Sequence, residues 1–173
     1  MSRTSKIVLT AMIAAAGSLQ AQDPISANMK ASWNNIKGLL TRMAEKMPEE
    51  NYRFKPVPAV EDFGQRMAHV AAFNMRGCAL VKGDQKAIKA GAAPTKAEVI
   101  AALKESSDEC DSVFNSLTDA EALKTVDVGR GSRTKLAILQ GLVLEHSQEV
   151  YGYAAVYMRL KGIVPPSSDR NER

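Results

Sequence analysis

The sequence predicts an all-α fold, a four-helix bundle whose helices run in an up-down-down-up order. In almost every segment the apolar residues recur at about the 3.6-residue period of a helix, and strand-like alternation does not persist. Four long amphipathic segments follow one another, each with one apolar stripe, which favours a bundle. Two of the three linkers are long for a simple up-down bundle, and these linkers and two cysteines indicate the order of the helices.

The first two predicted helices carry their apolar stripes at steps of three and four residues. The first helix runs from about Ser26 to Met47. Its stripe consists of Met29, Trp33, Ile36, Leu40, Met43 and Met47. The second helix begins near Asp62, after an extended and proline-rich linker. Its stripe consists of Phe63, Val70, Phe73, Gly77 and Leu80.

The last two predicted helices have clear sequence signals at their ends. The third helix opens after Pro94, where Thr95 and Glu98 form a capping-box pattern. Its stripe consists of Val99, Leu103, Ser106, Cys110, Val113 and Leu117. The fourth helix runs from about Ser132 to Lys161 and is stopped by Gly162 and two prolines. Its stripe is predicted at Leu136, Leu139, Val143, His146, Val150, Tyr153, Tyr157 and Leu160.

Residues 1–21 are expected to form a secretory signal peptide, which leaves residues 22–173 as the bundle domain. Arg3 and Lys6 precede a short apolar run, and Ala21 offers a small residue for cleavage. The run is too short to span a bilayer comfortably, although an uncleaved anchor is the alternative. The mature protein is therefore expected in the periplasm or outside the cell, with no membrane span after cleavage.

The charge pattern excludes nucleic acid as a partner. Removal of residues 1–21 takes Arg3 and Lys6 from the 23 basic residues and leaves 21 against 19 acidic residues. Charges of both signs are interspersed, and no block of Lys and Arg forms a basic stripe. A small-molecule ligand therefore remains as a candidate partner, and the sequence leaves open whether the chain pairs with a second copy as a homodimer.

Cys78 and Cys110 are the only cysteines. Because export would place them in an oxidising compartment, we expect them to form a disulfide. Two buried free thiols are the alternative. Both residues lie about 23 Å from the starts of the second and third predicted helices. A bridge between them therefore requires these helices to run parallel, and the linker after Lys82 is long enough to return along the bundle.

Three motifs make the chain resemble the DinB/YfiT-like family over essentially the whole mature length. They are the Y-x-F-x-P pattern at Tyr52, the F-G-Q-x-x-A-H pattern that ends at His69, and the Y-x-R-x-x-G-x-V-P-P pattern at Tyr157. The resemblance implies a four-helix bundle in the up-down-down-up order. That order agrees with the one inferred from the cysteines.

The resemblance also implies a divalent metal, zinc or nickel among others, held by three histidines. His69 matches the ligand on helix two and His146 matches the first ligand on helix four, but the second position on helix four is Val150. Glu149 is a weaker third candidate, because a carboxylate also binds zinc. Gln65 and Tyr153 are candidate pocket residues. The alternative is that His69 and His146 are core histidines, hydrogen-bonded to each other or to these two pocket residues.

Two functions of different class follow from this resemblance. In the first, the protein is an exported DinB-like chain with a degenerate metal site, which acts by binding a small molecule or as a structural component. In the second, it is a divalent-metal-dependent enzyme of the hydrolase or thiol-transferase type that uses the bundle pocket. The chain has no Ser/His/Asp arrangement, glycine-rich phosphate loop or C-x-x-C motif, so no catalytic residue is assigned.

Overall fold

The computed structural model describes residues 23–88 and 91–170 and has the predicted all-α architecture. The predicted signal peptide lies outside the described residues. Three bundle helices are single elements, namely α1 Pro24–Lys46, α2 Phe63–Val81 and α3 Lys96–Ser116. The fourth bundle helix, residues 135–160, is built from α5 Lys135–Ile138, a π-helical segment Leu139–Glu145 and α6 His146–Leu160. Between α3 and α5 lie α4 Asp119–Ala122, β1 Thr125–Asp127 and β2 Ser132–Thr134.

Side-chain caps define where α2 and α3 begin. Asp62 accepts a hydrogen bond from the backbone of Gln65, whose own side chain accepts one from the backbone of Asp62. Thr95 and Glu98 form the same reciprocal arrangement at the start of α3, as the sequence predicts. Each box satisfies backbone N–H groups that a helix start would otherwise leave without partners.

Helices α2 and α3 run parallel to each other. Near their starts the Gln65 amide donates to the Ala92 carbonyl at 2.7 Å, and near the end of α2 the Lys82 ammonium lies 2.7 Å from Glu109. The disulfide between Cys78 and Cys110 joins the two helices, with the Cα atoms 5.2 Å apart and both side chains fully buried. Because the two cysteines lie about equally far from the starts of their helices, the disulfide requires the parallel arrangement that the sequence predicts.

The outer two helices complete the up-down-down-up order. Helix α1 is antiparallel to α3, because Ser26 at its start bonds Asp119 just after α3, whereas Lys96 at the start of α3 donates to the Glu45 carbonyl. The fourth bundle helix is antiparallel to α2, since the Tyr157 hydroxyl near its end donates to the Glu61 carbonyl at 3.0 Å. Helix α1 and the fourth bundle helix therefore run in the same direction.

The short hairpin before the fourth helix was not predicted. Strands β1 and β2 pair antiparallel with Thr125 opposite Thr134. Three residues in each strand are too few to show as alternation in the sequence. Gly129 and Gly131 have φ values of 78° and 107°, a left-handed region that side chains rarely adopt, which suits them to the turn. The fourth helix consequently begins three residues later than expected.

The predicted stripe of the fourth helix is wrong at two positions. Tyr153 is 49% exposed and Leu160 is 58% exposed, whereas Ala154 and Met158 take the buried places near them. A stripe stepped in strict sevens drifts by about 20° per heptad on a straight helix, and this drift accounts for the error. Within residues 23–88 and 91–170, no helix combines the length and the apolar character that a membrane span needs.

Candidate functional site

Two histidines and a phenylalanine form a cluster of three rings between α2 and the fourth bundle helix. His69 lies one helical turn before Phe73 on α2, and His146 is the first residue of α6. The ring centroids are 4.6 Å apart for His69 and Phe73, 4.4 Å for Phe73 and His146, and 5.1 Å for the two imidazoles. The chain thus brings its two histidines together, and each imidazole packs against the same phenyl ring. We call this group the ring triangle.

The His146 imidazole has one nitrogen near a carboxylate and one nitrogen without a partner. Its Nδ1 atom lies 3.5 Å from a carboxylate oxygen of Glu149. Its Nε2 atom is buried and has no hydrogen-bond partner among the described residues. Burial lowers the pKa of His146 below its usual value, and the neighbouring His69 lowers it further, while Glu149 acts in the opposite direction. The site therefore favours the neutral imidazole.

Glu149 lies at the surface rim of this site. Its side chain is 55% exposed, and it accepts a hydrogen bond from the Tyr153 hydroxyl at 2.9 Å. That bond raises the pKa of Tyr153. The Arg66 guanidinium stacks over the tyrosine ring at 5.5 Å from its centroid. Tyr153 is thus a surface partner of Glu149 rather than a core residue facing the imidazoles.

Val150 and Gln65, which the sequence also singled out, have structural roles. Val150 is 1% exposed and belongs to the bundle core. Gln65 holds the start of α2 through its capping bonds with Asp62 and reaches the linker before α3 through the Ala92 carbonyl. Its amide therefore connects backbone segments rather than the two imidazoles.

The π-helical segment directly before His146 was missed from the sequence. It covers Leu139–Glu145, and within it Val143 packs against Gly77 of α2 so closely that a Cβ atom on the glycine would lie 2.6 Å from a valine methyl. A π-helical turn is rare and is frequently found at functional sites. Gly141 inside the helix is the one local signal in the sequence, and it does not distinguish a π-helical turn from an ordinary one.

The comparison with family models settles the family. A model described as the DinB superfamily matches residues 29–154, which is more than half of the chain. The chain belongs to the DinB superfamily. The resemblance noted in the sequence is therefore confirmed, and the matched range contains the ring triangle and Val150. No curated protein matches the chain.

Two solved DinB-like structures share this fold. A DinB-like protein from Bacillus subtilis is 18% identical with a TM-score of 0.62, and the match covers 78% of this chain and 92% of that one. A DinB-like protein from Bacillus cereus is 15% identical with a TM-score of 0.63, and the match covers 81% and 95% of the two chains. At this identity the likeness shows the common DinB-like bundle and nothing more specific.

The donor set of this DinB superfamily chain does not fit a metal held by three protein ligands. His69 and His146 supply two imidazoles, but the position expected for a third histidine holds a buried valine. Glu149, the nearest carboxylate candidate, is exposed and bonded to Tyr153. Among the described residues no group of three or more His, Cys, Asp or Glu side chains is placed to hold a metal ion.

Proposed function

We propose that this DinB superfamily chain is an exported small-molecule-binding protein in which the family's metal site has degenerated. The observation that carries the proposal is the buried Val150, which occupies the core at the position where the resemblance places a third histidine ligand. An apolar side chain at that position cannot donate an electron pair to a metal. The remaining pair of imidazoles is a weak divalent-metal site by itself.

The unpartnered nitrogen of His146 supports binding of a ligand in place of a metal. The carboxylate beside Nδ1 favours the tautomer with its proton on that nitrogen, which leaves Nε2 as a hydrogen-bond acceptor. A buried polar atom without a partner costs about 1–3 kcal/mol. A ligand that offers an N–H or O–H group to Nε2, and an apolar face to Phe73, would remove that cost.

The second candidate function is a divalent-metal-dependent enzyme of the hydrolase or thiol-transferase type. The same Nε2 atom favours it, since a free electron pair on a neutral imidazole suits zinc or nickel. Export argues against thiol transfer, because cytosolic thiol cosubstrates would be scarce outside the cytoplasm. Elemental analysis of natively exported protein separates the two candidates. Stoichiometric zinc, nickel, iron or manganese would overturn the degenerate-site proposal.

The direct test adds the missing ligand. Zinc or nickel should bind the Val150→His variant on the order of tenfold or more tightly than the parent, a gain of about 1.4 kcal/mol or more, because a third imidazole completes the ligand set. Val150→Leu is the matched control, because it also enlarges the side chain but adds no donor. His146→Ala should abolish whatever weak binding the parent shows.

The metal titration of Val150→His needs a parallel measurement of folding. Circular dichroism should show that Val150→His keeps its helical content. A folded variant that binds metal no better than the parent would show that the ring triangle is not a metal site missing one ligand. Export has a separate test, because the intact mass of the mature protein should correspond to a chain that begins at Gln22.

A further inference from the structure

A cavity of about 640 Å³ lies beyond the ring triangle on the same side of α2. It is open to solvent on one side and is bordered by the last two turns of α2, the loop that follows, the β1–β2 hairpin and the start of the fourth bundle helix. Arg76 on α2 lies about 10 Å along the helix from His69, at 1.5 Å per residue. The cavity therefore uses different residues from the ring triangle, and its volume is in the range of small-molecule sites, about 300–1,000 Å³.

The charge of this cavity is basic. Arg76, Arg130 and Arg133 line it from three different elements, namely α2, the hairpin turn and β2. None of the three guanidinium groups forms an ion pair or hydrogen bond with another of the described residues. Three unpaired guanidinium groups around one cavity are a ready site for an anion, because each presents several N–H donors in a planar fork.

The other charged side chains around the cavity do not cancel this excess. Lys86 also lines it and is held by Glu109 at 2.8 Å. Two carboxylates line it, those of Asp84 and Asp127, and the second accepts a hydrogen bond from the backbone of Gly129 at 2.8 Å. The lining therefore carries four basic and two acidic side chains, and the net charge is positive.

The floor of the cavity is apolar. It is lined by Leu80 of α2, by Ile138 and Leu142 of the fourth bundle helix and by Val128 of the hairpin. A small inorganic anion would leave this apolar surface uncovered. A ligand with an anionic group and an apolar body would instead pair its charge with the arginines and remove the apolar surface from water.

We propose that this cavity binds an amphipathic organic anion, in which a carboxylate or phosphate group pairs with Arg76, Arg130 and Arg133 and an apolar body covers Leu80 and Leu142. The inference goes beyond the proposed function, because it uses no residue of the ring triangle and does not depend on whether the two imidazoles hold a metal. The two proposals therefore fail separately.

The first test uses the parent protein. Isothermal titration of the purified exported chain with decanoate, below its micellar concentration, should show saturable binding. Decyltrimethylammonium has the same apolar chain with the opposite charge and should bind at least tenfold more weakly. Affinity should rise from acetate through hexanoate to decanoate. Inorganic phosphate that binds as tightly as decanoate would overturn the amphipathic assignment, and equal binding of the cationic and anionic probes would overturn the anion site.

The second test removes the charges. The double variant Arg76→Gln/Arg133→Gln should bind decanoate at least tenfold more weakly than the parent. Lys30→Gln/Lys55→Gln removes the same total charge from exposed positions outside the cavity and should change the affinity less than twofold. Equal losses in the two double variants would mean that overall charge, not this cavity, attracts the anion. A failed decanoate titration would leave the metal titration of Val150→His unaffected.

Discussion

Helix α2 packs against α3 on one side and against the fourth bundle helix on the other, and the two interfaces differ in covalent linkage and in the regularity of the helices. On the α3 side, the Cys78–Cys110 disulfide joins two fully buried residues, and the Lys82–Glu109 ion pair lies near the end of α2. The Gln65 amide reaches the linker just before α3. The Glu109 carboxylate there is ion-paired with Lys82 and Lys86, although its Oε1 atom makes no hydrogen bond of good geometry, and both helices are regular.

The side facing the fourth helix is less regular. It includes the π-helical segment, the ring triangle and a buried imidazole nitrogen without a partner. One well-satisfied polar pair does occur there, between the Ser147 hydroxyl and the Asn74 amide oxygen at 2.9 Å. Irregular helices and unsatisfied polar groups cost stability, and proteins retain them most often at functional sites. The difference supports the proposal that the α3 side chiefly stabilises the fold and that the fourth-helix side holds the candidate site.

Of the predicted changes, loss of the disulfide should lower the free energy of unfolding the most. The double variant Cys78→Ala/Cys110→Ala should lower the free energy of unfolding by about 3 kcal/mol, because the bridge restricts the unfolded chain over a sequence separation of 32 residues. Chemical denaturation of the oxidised parent and of the variant measures this loss.

Two controls separate the bridge from the side chains themselves. The reduced parent keeps both cysteine side chains and should lose a similar amount of stability. Alkylation without reductant should label neither cysteine in the native parent. If both thiols label fully in an oxidising preparation, then no bridge forms in solution and the α3 side loses its main stabilising link.

A methyl group on Gly77 should have the next largest effect, on the opposite side of α2. The added Cβ would lie 2.6 Å from a Val143 methyl, so Gly77→Ala should lower the free energy of unfolding by about 1–3 kcal/mol. Gly152→Ala is the matched control, since it lies on the exposed side of α6 with no atom within 4 Å of the added Cβ. That control should raise the stability by about 0.5–1 kcal/mol.

Thermal unfolding of the two variants measures this difference directly. A loss of stability in Gly77→Ala together with a gain in Gly152→Ala would support a tight contact at the π-helical segment. A Gly77→Ala protein as stable as the parent would mean that the π-helical segment moves away from α2 at little cost. That result would contradict the close packing of Val143 on Gly77.

The helices could be predicted from the sequence because each buries one continuous stripe, and the spacing of that stripe is a local property of the chain. The capping box at the start of α3 could be predicted for the same reason, because its hydrogen bonds join Thr95 and Glu98, which are three residues apart. The order of the helices was predicted from Cys78 and Cys110 together with the length of the linkers. The DinB superfamily motifs gave the same order independently.

The irregular parts could not be predicted because they depend on contacts between distant residues. The π-helical segment is associated with the close approach of Val143 to Gly77, which are far apart in the chain. The arginine-lined cavity gathers residue 76 with the hairpin residues 130 and 133, and no local pattern joins them. The outward position of Tyr153 follows from the drift of the apolar stripe beyond Val150.

The smallest predicted effect concerns the titration of His146 in protein freed of metal by a chelator. Its pKa is lowered from 6.5 in the folded state, chiefly by burial and further by His69. Well above pH 6.5 the imidazole is neutral in both the folded and unfolded chains, so its titration does not affect stability there. As the pH falls below that value, the unfolded chain takes up the proton first, and the folded state is disfavoured until its own lowered pKa is passed.

The parent should therefore lose more stability between pH 7 and pH 5 than the His146→Gln variant, which cannot titrate at this position. Glu149→Gln tests the cause, because the carboxylate acts against the lowering and its removal should shift the pKa of His146 further down. The titration of the ring protons by NMR measures both shifts without unfolding the protein. A pKa of His146 at or above 6.5 in the folded parent would show that the imidazole is not desolvated as the packing indicates. The contrast between the two faces of α2 would then rest on the π-helical segment alone.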